Sequence, residues 1–257
     1  MIDAIFIAAT GMKAEQANID NISNNLSNIN TNAYKKSRVG FEDLMYRDMT
    51  AEASAIDRMS GQMVAGLGTS VSAVTRDFQA GDLKATQNPL DLAIDGAGFL
   101  EVALENGEYA YTRNGALKIN QDGLLTTIDG KLLSANIQVP SDAKALKIFQ
   151  NGTVTASVGE EEVEVGRIEL ASFTNVDNLR PVGEGLFVPT DESGPALYSE
   201  PGSNGTGATM QGFLEASNVD LVEEMLSLVV AQRAYEVNSQ IVRASDEIMR
   251  INNNLRS

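Results

Sequence analysis

Two stretches, one at each end of the chain, place apolar residues at helical spacing. Near the N-terminus the stripe advances in steps of four and three residues and includes small and polar members: Ile5, Ala9, Met12, Gln16, Ile19, Ser23 and Leu26. Such a stripe is typical of a helix whose seam packs against another helix. The sequence therefore predicts a helix over residues 1–33 with a coiled-coil-like seam.

The C-terminal stripe is apolar throughout. It advances by the same steps and contains Val230, Ala234, Val237, Ile241, Ala244, Ile248, Ile251 and Leu255. An offset row precedes it and contains Val219, Val222, Leu226 and Val229. Ser217, with Asp220 three residues later, resembles a capping box. We predict a second helix over residues 217–257, which pairs with the first into one discontinuous helical domain.

The middle of the chain follows a period of two residues instead. Leu90, Leu92 and Ile94 alternate with polar or small residues, and Asn-Gly and Asp-Gly pairs mark turns from Asp95-Gly96 to Asn204-Gly205. Short runs between such turns are typical of antiparallel strands. The sequence predicts a β-rich domain over residues 81–198, arranged as a meander or barrel, and the fold class is α+β.

Two connecting regions remain, residues 34–80 and 199–216. Within the first, residues 46–68 contain three Met residues among small residues without a clear period, which indicates an extended stretch. The second is rich in Gly and is typical of a linker into the last helix.

The composition excludes much of catalytic and metal chemistry. The 257 residues include no Cys and no His, which excludes disulfides, thiolate metal sites and the usual nucleophile-histidine pairs. Asp91 and Asp95 would share one face of a strand and could perform acid-base chemistry, yet one follows a strand entry and the other a turn signal. We interpret both as structural, and we predict no catalytic residue, metal site or cofactor.

Two charged clusters have alternative interpretations. The acidic run at residues 160–164 is compatible with a cation site, although such runs are more often solvated hairpin tips. Lys35, Lys36 and Arg38, beside Tyr34, resemble a small phosphate-binding patch, but contact with an acidic neighbour is the interpretation that suits an acidic protein.

The charge is distributed unevenly along the chain. The formal net charge is −16, of which residues 1–40 carry +1 and residues 215–257 carry −3, so that −14 falls on the middle. This balance disfavours nucleic acid and anionic membranes as partners. The first ten residues include Asp3 and lead into no apolar stretch of spanning length, so we predict neither a signal peptide nor a membrane anchor.

Four segments match, in order, the signatures of one known family. They are NNLSNINTNAYKK (24–36), NPLDLAIDGAGFLEV (88–102), YTRNGAL (111–117) and the long segment that joins SNVDLVEEM to AQRAYEVNS (214–249). The chain thereby resembles the axial proteins of the bacterial flagellum, meaning rod and hook subunits. Within that family the length, FEDLMY at residues 41–46 and the extension after it resemble the distal rod subunits most, with proximal rod subunits as the alternative.

The resemblance implies a structural subunit that polymerises helically into the drive shaft between motor and hook. The terminal helices would pack beside those of other copies into an inner tube, the β domain would form the outer layer, and residues 46–68 would stiffen the rod. Further partners would be other rod subunits, the hook protein and the surrounding bushing rings.

The resemblance also implies a location and a route. The subunit would lie in the basal body, where the rod crosses the periplasm, and would leave the cell through the flagellar type III export apparatus without a cleaved signal peptide. Phe41 to Met45 fits a short pattern by which some early substrates engage that apparatus.

The residues expected in subunit packing come from both terminal helices. An asparagine amide both donates and accepts hydrogen bonds, so it can satisfy a neighbour's polar groups without burial of a charge. The expected set is Ile5, Met12, Ile19, Asn21, Asn25, Leu26, Asn28, Val230, Val237, Ile241, Ile248, Ile251 and Leu255.

Several alternatives remain open at this stage. The two helices could pair only with each other or lie on the β domain, and the asparagines could form an ordinary solvent-facing stripe. The chain could also be a β-rich binding module that its helices trimerise, or, more remotely, a carboxylate hydrolase.

Overall fold

The computed structural model describes residues 2–44, 46–48, 64–104, 107–159 and 161–254. They divide into two compact units. The helical unit holds the described parts of 1–27, 37–76 and 220–257, and the β unit holds those of 28–36 and 77–219. The predicted linker at 199–216 thus belongs to the β unit, and the connecting region 34–80 is divided between both units.

Two long helices and two pairs of strands form the helical unit. The helices are α1 (Ile2–Ser27) and α2 (Leu221–Asn254), and the antiparallel strand pairs are β1 (Ser37–Asp43) with β4 (Thr69–Arg76) and β2 (Tyr46–Asp48) with β3 (Val64–Gly66). Helix α1 contacts α2, β1 and β4. Both predicted helices are therefore present. Of the predicted extended stretch, residues 49–63 lie outside the described residues.

The helix bounds differ from the prediction at two ends. Helix α2 begins after Asp220, whose Oδ1 accepts hydrogen bonds from the backbone N–H groups of Val222 and Glu223 at 2.8 and 2.9 Å. Asp220 is thus the N-cap, and the predicted capping box at Ser217 is wrong. Helix α1 ends at Ser27, and residues 28–33 form turns in the β unit instead of a further helical turn.

The β unit is a set of antiparallel sheets. The largest has seven strands in the order β16 (Arg180–Gly183), β17 (Leu186–Val188), β8 (Tyr109–Thr112), β7 (Leu100–Ala103), β11 (Leu132–Leu133), β10 (Leu125–Thr127) and β9 (Leu117–Ile119). A second sheet has the order β12 (Ala143–Ile148), β13 (Thr153–Val158) and β14 (Glu161–Arg167). Since β16 and β9 are the two edges of the large sheet, it is open, and the barrel-like alternative is wrong for the described strands.

Three further strand pairs complete the unit. They are β15 (Leu170–Ser172) with β18 (Leu197–Ser199), β6 (Leu92–Asp95) with β19 (Ala208–Gln211), and β5 (Leu83–Ala85) with β20 (Phe213–Glu215). A short 3-10 helix spans Val176–Asn178.

The β unit has a hydrophobic core of its own. Aliphatic side chains from the sheets form the main cluster, which includes Leu92, Ile94, Leu100, Val102, Leu125, Val154 and Ile168. A second cluster is aromatic, with edge-to-face contacts among Phe78, Phe99, Tyr111, Phe173 and Phe187. Such ring pairs add to the stabilisation from burial alone.

Most of the Asn-Gly and Asp-Gly pairs lie at turns or bends, as predicted, whereas Asn114-Gly115 does not and Asn106 lies outside the described residues. Gly130 and Gly152 have φ values of +90° and +82°, which favour glycine because other residues are strained there. Gly115 does not have a positive φ, and a Cβ atom on it would stand 1.7 Å from the carbonyl oxygen of Leu92. Close approach of two backbone segments therefore explains this glycine.

Gly152→Ala should destabilise the β unit more than Gly130→Ala, although both glycines occupy matching turns. A Cβ atom at residue 130 meets nothing within 4 Å, whereas one at residue 152 would lie 2.2 Å from the carbonyl oxygen of Ile168. We expect Gly130→Ala to cost about 1–2 kcal/mol from backbone strain and Gly152→Ala to cost clearly more. Urea unfolding measures both losses, and equal losses would contradict the steric argument.

Candidate assembly surface

Helices α1 and α2 meet through small and polar side chains. The buried residues of the two helices are small or polar apart from Ile22: they are Ala8, Ala14, Ile22 and Asn25 on α1, and Glu224, Ala231 and Ser245 on α2. A Cβ atom on Gly11 would lie 2.9 Å from the Nδ2 atom of Asn238. Small residues thus bring the two helices close together, and the buried row of α1 is offset from the predicted seam, whose members Ala9, Gln16 and Ser23 are exposed.

In the single chain, the large apolar side chains of α2 are exposed to solvent. The outer stripe, as it is named below, consists of Val222, Met225, Leu226, Val229, Val230, Val237, Ile241, Ile248 and Ile251, all exposed. Val222 is 74% exposed and Ile248 is 52% exposed. Contiguous apolar surface of this extent marks an interaction surface.

The remaining predicted packing residues have mixed positions. Ile5, Met12, Ile19 and Leu26 of α1 are half-buried, and Leu255 lies outside the described residues. Phe41, one end of the predicted export pattern, is exposed on β1, while Met45 also lies outside the described residues.

Two of the predicted asparagines bond within the helical unit. Asn25 is only 1% exposed, and its Oδ1 accepts a hydrogen bond from the Ser37 N–H at 2.9 Å. Its Nδ2 donates to the Ser37 carbonyl at 2.9 Å and to Glu224 Oε2 at 3.3 Å, and Asn21 Nδ2 donates to the same carbonyl at 2.7 Å. These amides fix the start of β1 against α1, a role within the chain that differs from the expected role between copies.

The third asparagine belongs to a turn of the β unit. Asn28 Oδ1 accepts a hydrogen bond from the Thr31 hydroxyl at 3.1 Å, and its backbone carbonyl accepts one from the Thr31 N–H at 3.1 Å. Both bonds belong to the turn that follows Ser27.

A buried ion cluster lies in the β unit. The Glu215 carboxylate on β20 accepts hydrogen bonds from Lys35 Nζ at 2.6 Å, Arg113 Nε at 2.7 Å and the Gly81 N–H at 2.9 Å. Glu215 is 1% exposed, and Lys35 Nζ also donates to the Gln79 carbonyl at 2.6 Å. The sequence predicted an acidic neighbour for the basic residues near Tyr34. For Lys35 this neighbour is Glu215 of the same chain.

Electrostatics hold this cluster in its ionised form. Burial of the Glu215 carboxyl opposes ionisation, but attraction by Arg113 and Lys35, together with their hydrogen bonds, outweighs burial and lowers its pKa below the ordinary value of 4.5. For Lys35 burial has the opposite consequence: it lowers the pKa and so opposes the charge, and attraction by Glu215 offsets only part of this effect. Sequence reasoning missed Glu215 and Arg113, because a single charge in a strand or loop gives no local signal of its partners.

The carboxylate candidates have structural partners. Asp91 accepts hydrogen bonds from the Thr86 hydroxyl at 2.6 Å and from Asn88 Nδ2 at 2.8 Å, and Asp95 is exposed at the end of β6. Glu161, the first residue of β14, and the acidic residues after it are solvent-exposed on that strand. Within the described ranges, no group of three or more Asp and Glu residues is placed to hold a metal ion.

Hydropathy separates these helices from membrane spans. Neither α1 nor α2, nor any other helix within the described part of the chain, has the length and apolar content needed to cross a bilayer.

Comparison with known proteins identifies the class to which the chain belongs. Three family profiles match along the chain: "Flagella basal body rod protein" at residues 5–35, "Flagellar hook protein FlgE/F/G D1 domain" at 93–156, and "Flagellar basal body rod FlgEFG protein C-terminal" at 210–255. These profiles define the class as structural proteins of the flagellar rod and hook.

Full-length relatives narrow the class. The chain is 41% identical to the flagellar basal-body rod protein FlgG of Borreliella burgdorferi, over 100% of this chain and 99% of the relative. It is 39% identical to FlgG of Agrobacterium fabrum (96% and 97% covered) and 38% identical to FlgG of Caulobacter vibrioides (100% of both). The chain therefore belongs to the family of flagellar basal-body rod proteins.

Replacement of Asn25 by Ala should destabilise the helical unit, because the backbone N–H and carbonyl of Ser37 then lose a buried partner. We expect a loss of about 1–3 kcal/mol, measured as the shift in urea unfolding followed by helical circular dichroism. Asn32→Ala is the control, since Asn32 is exposed in the same asparagine-rich segment. A loss at Asn25 no larger than that at Asn32 would contradict the role assigned to the amide.

Glu215→Gln should be strongly destabilising, because it leaves the buried cations Lys35 and Arg113 without their carboxylate. A loss of about 3–5 kcal/mol is expected for a broken buried ion pair, against about 0–1 kcal/mol for Glu184→Gln, which breaks the exposed pair with Lys131.

The same ion cluster should make stability depend on pH. Since the pKa of Glu215 is lowered by folding, its stabilisation is complete above the ordinary value of 4.5 and is lost as pH falls through the folded-state value. Acid titration of stability should therefore be shallower in Glu215→Gln than in the unaltered chain. Equally steep titrations, or an unfolding loss as small as that of Glu184→Gln, would contradict the ion-pair assignment.

Proposed function

We propose that the protein is a structural subunit of the flagellar distal rod, which polymerises helically into the shaft that transmits torque from motor to hook. The family consists of structural proteins of the flagellar rod, so the role is structural and not enzymatic. The observation that carries the proposal in this chain is the outer stripe of α2, whose large apolar side chains are exposed in the single chain.

The occupants of the outer stripe are helices of other copies of this chain. The stripe carries no charge, and the terminal regions are nearly neutral while the middle of the chain carries −14. Copies can therefore approach through their helices at little electrostatic cost, whereas contact through the middle regions would bring like charges together. In the polymer the helix pair forms a coiled-coil-like stalk within the inner tube, and the acidic β unit faces solvent.

Such contacts between unlike surfaces are those that build a filament. The outer stripe lies on α2 and its proposed partner surface lies on α1, so repetition of the contact by a helical operator that does not close gives an open polymer. The exposed Phe6 and Ile7 of α1 supply apolar surface of the kind that the stripe of a neighbouring copy requires.

The remaining partners follow the place of the subunit in the basal body. We propose contacts with other rod subunits, with the hook protein and with the bushing rings around the rod, in the part of the shaft that crosses the periplasm. Export occurs through the flagellar type III apparatus without signal cleavage. Phe41, exposed on β1, supports an export contact by residues 41–45.

Ile241→Asp combined with Ile248→Asp should abolish polymerisation and leave the β unit folded. The reason is that two charges in the outer stripe would have to be buried without partners when copies pack together. Electron microscopy of purified protein under polymerising conditions detects the filaments, and near-ultraviolet circular dichroism of the tyrosines reports on the β unit.

A matched variant controls for charge alone. Gln232→Asp with Ser239→Asp adds the same two charges at positions of α2 outside the stripe, the first exposed and the second half-buried, and its filaments should persist. Filaments from the double Ile variant would overturn the proposal. Closed trimers of the unaltered protein would instead support the β-rich binding module.

A further inference from the structure

Two segments of the β unit lie side by side where the chain arrives from α1 and where it departs toward α2. The Ala33 N–H donates to the Glu215 carbonyl at 2.8 Å, and the Asn218 N–H donates to the Tyr34 carbonyl at 3.3 Å. The Lys36 N–H donates to Asn218 Oδ1 at 2.8 Å. Because the bonded residue numbers rise together, the two segments run in the same direction. Residues 33–36 and 215–218 are named the clasp below.

A buried charge pair reinforces the clasp. Lys35 and Glu215 lie on opposite segments and join at 2.6 Å with both side chains fully buried. Arg113 holds the second oxygen of the Glu215 carboxylate at 2.7 Å and itself donates to the carbonyls of Gly98 and Gly96 at 3.0 and 2.8 Å. The departing segment is thereby fixed to the loops beside the large sheet.

The chain that returns at residue 77 bonds to both segments of the clasp. The Asp77 N–H donates to the Lys36 carbonyl at 2.9 Å, and Asn218 Nδ2 donates to the Asp77 carbonyl at 2.8 Å. On its far side the departing segment continues the pairing of β20 with β5, since the Ala216 N–H donates to the Asp82 carbonyl at 2.8 Å. Each segment of the clasp is therefore held by neighbours on the β unit.

The direction of the two segments decides how they respond to tension. A pull that separates α1 from α2 acts on the first residue of the arriving segment and on the last residue of the departing one. Since the segments run in the same direction, this pull slides one along the other and loads their hydrogen bonds together. Segments that ran in opposite directions would open like a hairpin, one bond at a time.

We propose that the clasp is a mechanical lock that keeps the β unit folded when tension is applied between α1 and α2. In addition to the direct contact between α1 and α2, the force passes from residue 32 across the clasp to residue 219, so that residues 37–214 lie outside the load path. The sheets and both hydrophobic clusters of the β unit are then shielded from force, whatever the assembly to which the helices belong.

Single-molecule stretching tests this proposal on the full chain. The sequence has no Cys, so that Asn30→Cys with Val222→Cys provides two handles, both exposed, just outside the clasp. In optical tweezers the β unit should unfold in one high-force event. Handles at Asp129 and Val222, introduced by Asp129→Cys and Val222→Cys, pull on a hairpin tip of the sheet instead, and the β unit should then unfold at lower force.

Variants separate mechanical from thermodynamic weakening. Asn218→Ala removes hydrogen bonds to Lys36 and Asp77, and with handles at 30 and 222 the high-force event should be lost. Leu125→Ala, a buried sheet position away from the clasp, serves as the matched control, because it lowers stability in urea and should leave most of the rupture force in place. An equal loss of force in both variants would overturn the proposal.

The comparison of the two pulling directions needs no change in the clasp itself, so it decides the question even if Asn218→Ala fails to fold. Equal rupture forces for the handles at 30 and 222 and the handles at 129 and 222 would also overturn the lock. These measurements use isolated molecules and do not depend on polymerisation.

Discussion

The constraint on which the rest of the structure depends is the outer stripe of α2. A helix of 34 residues has two long sides to cover, and α1 covers the one that carries Glu224, Ala231 and Ser245. The larger side chains remain in water, and burial would stabilise the structure by about 25 cal/mol for each Å² of apolar surface. Long helices in isolation are marginal and gain most of their stability from packing. One copy of the chain therefore leaves this side of the helical unit uncovered.

Small and polar residues inside the helical unit determine how α1 and α2 pair, whereas the large apolar residues of α2 lie on the outside. Gly11 lets the helices approach, and Asn25 bonds to both backbone groups of Ser37 and to Glu224. Hydrogen bonds depend on direction far more than apolar contacts do, so these groups define which faces of α1 and α2 meet. With that pairing fixed by polar groups, the apolar side chains are directed outward, where identical copies can bind them.

Local pattern predicted much of this fold. Both helices follow from periodicity, and the glycine turns follow from a backbone conformation that depends on two adjacent residues. The sequence did not predict which side of each helix faces inward, because Gln16 and Ser23 fit the seam as well as Asn18 and Asn25 do until the partner is known. Nor did it predict the Glu215 cluster, whose members are 180 and 102 residues from the carboxylate along the chain, or the open edge of the large sheet, which depends on strand order.

The two units therefore derive their stability from different sources, and this difference suits a subunit that must exist both free and assembled. The β unit contains its own aliphatic and aromatic clusters and a carboxylate that two cations neutralise. The helical unit carries its main apolar surface outside, and only copies that meet through that surface gain its burial energy. Because the middle of the chain carries −14, repulsion opposes contacts between copies elsewhere. This charge distribution supports the proposal that copies associate through their helices.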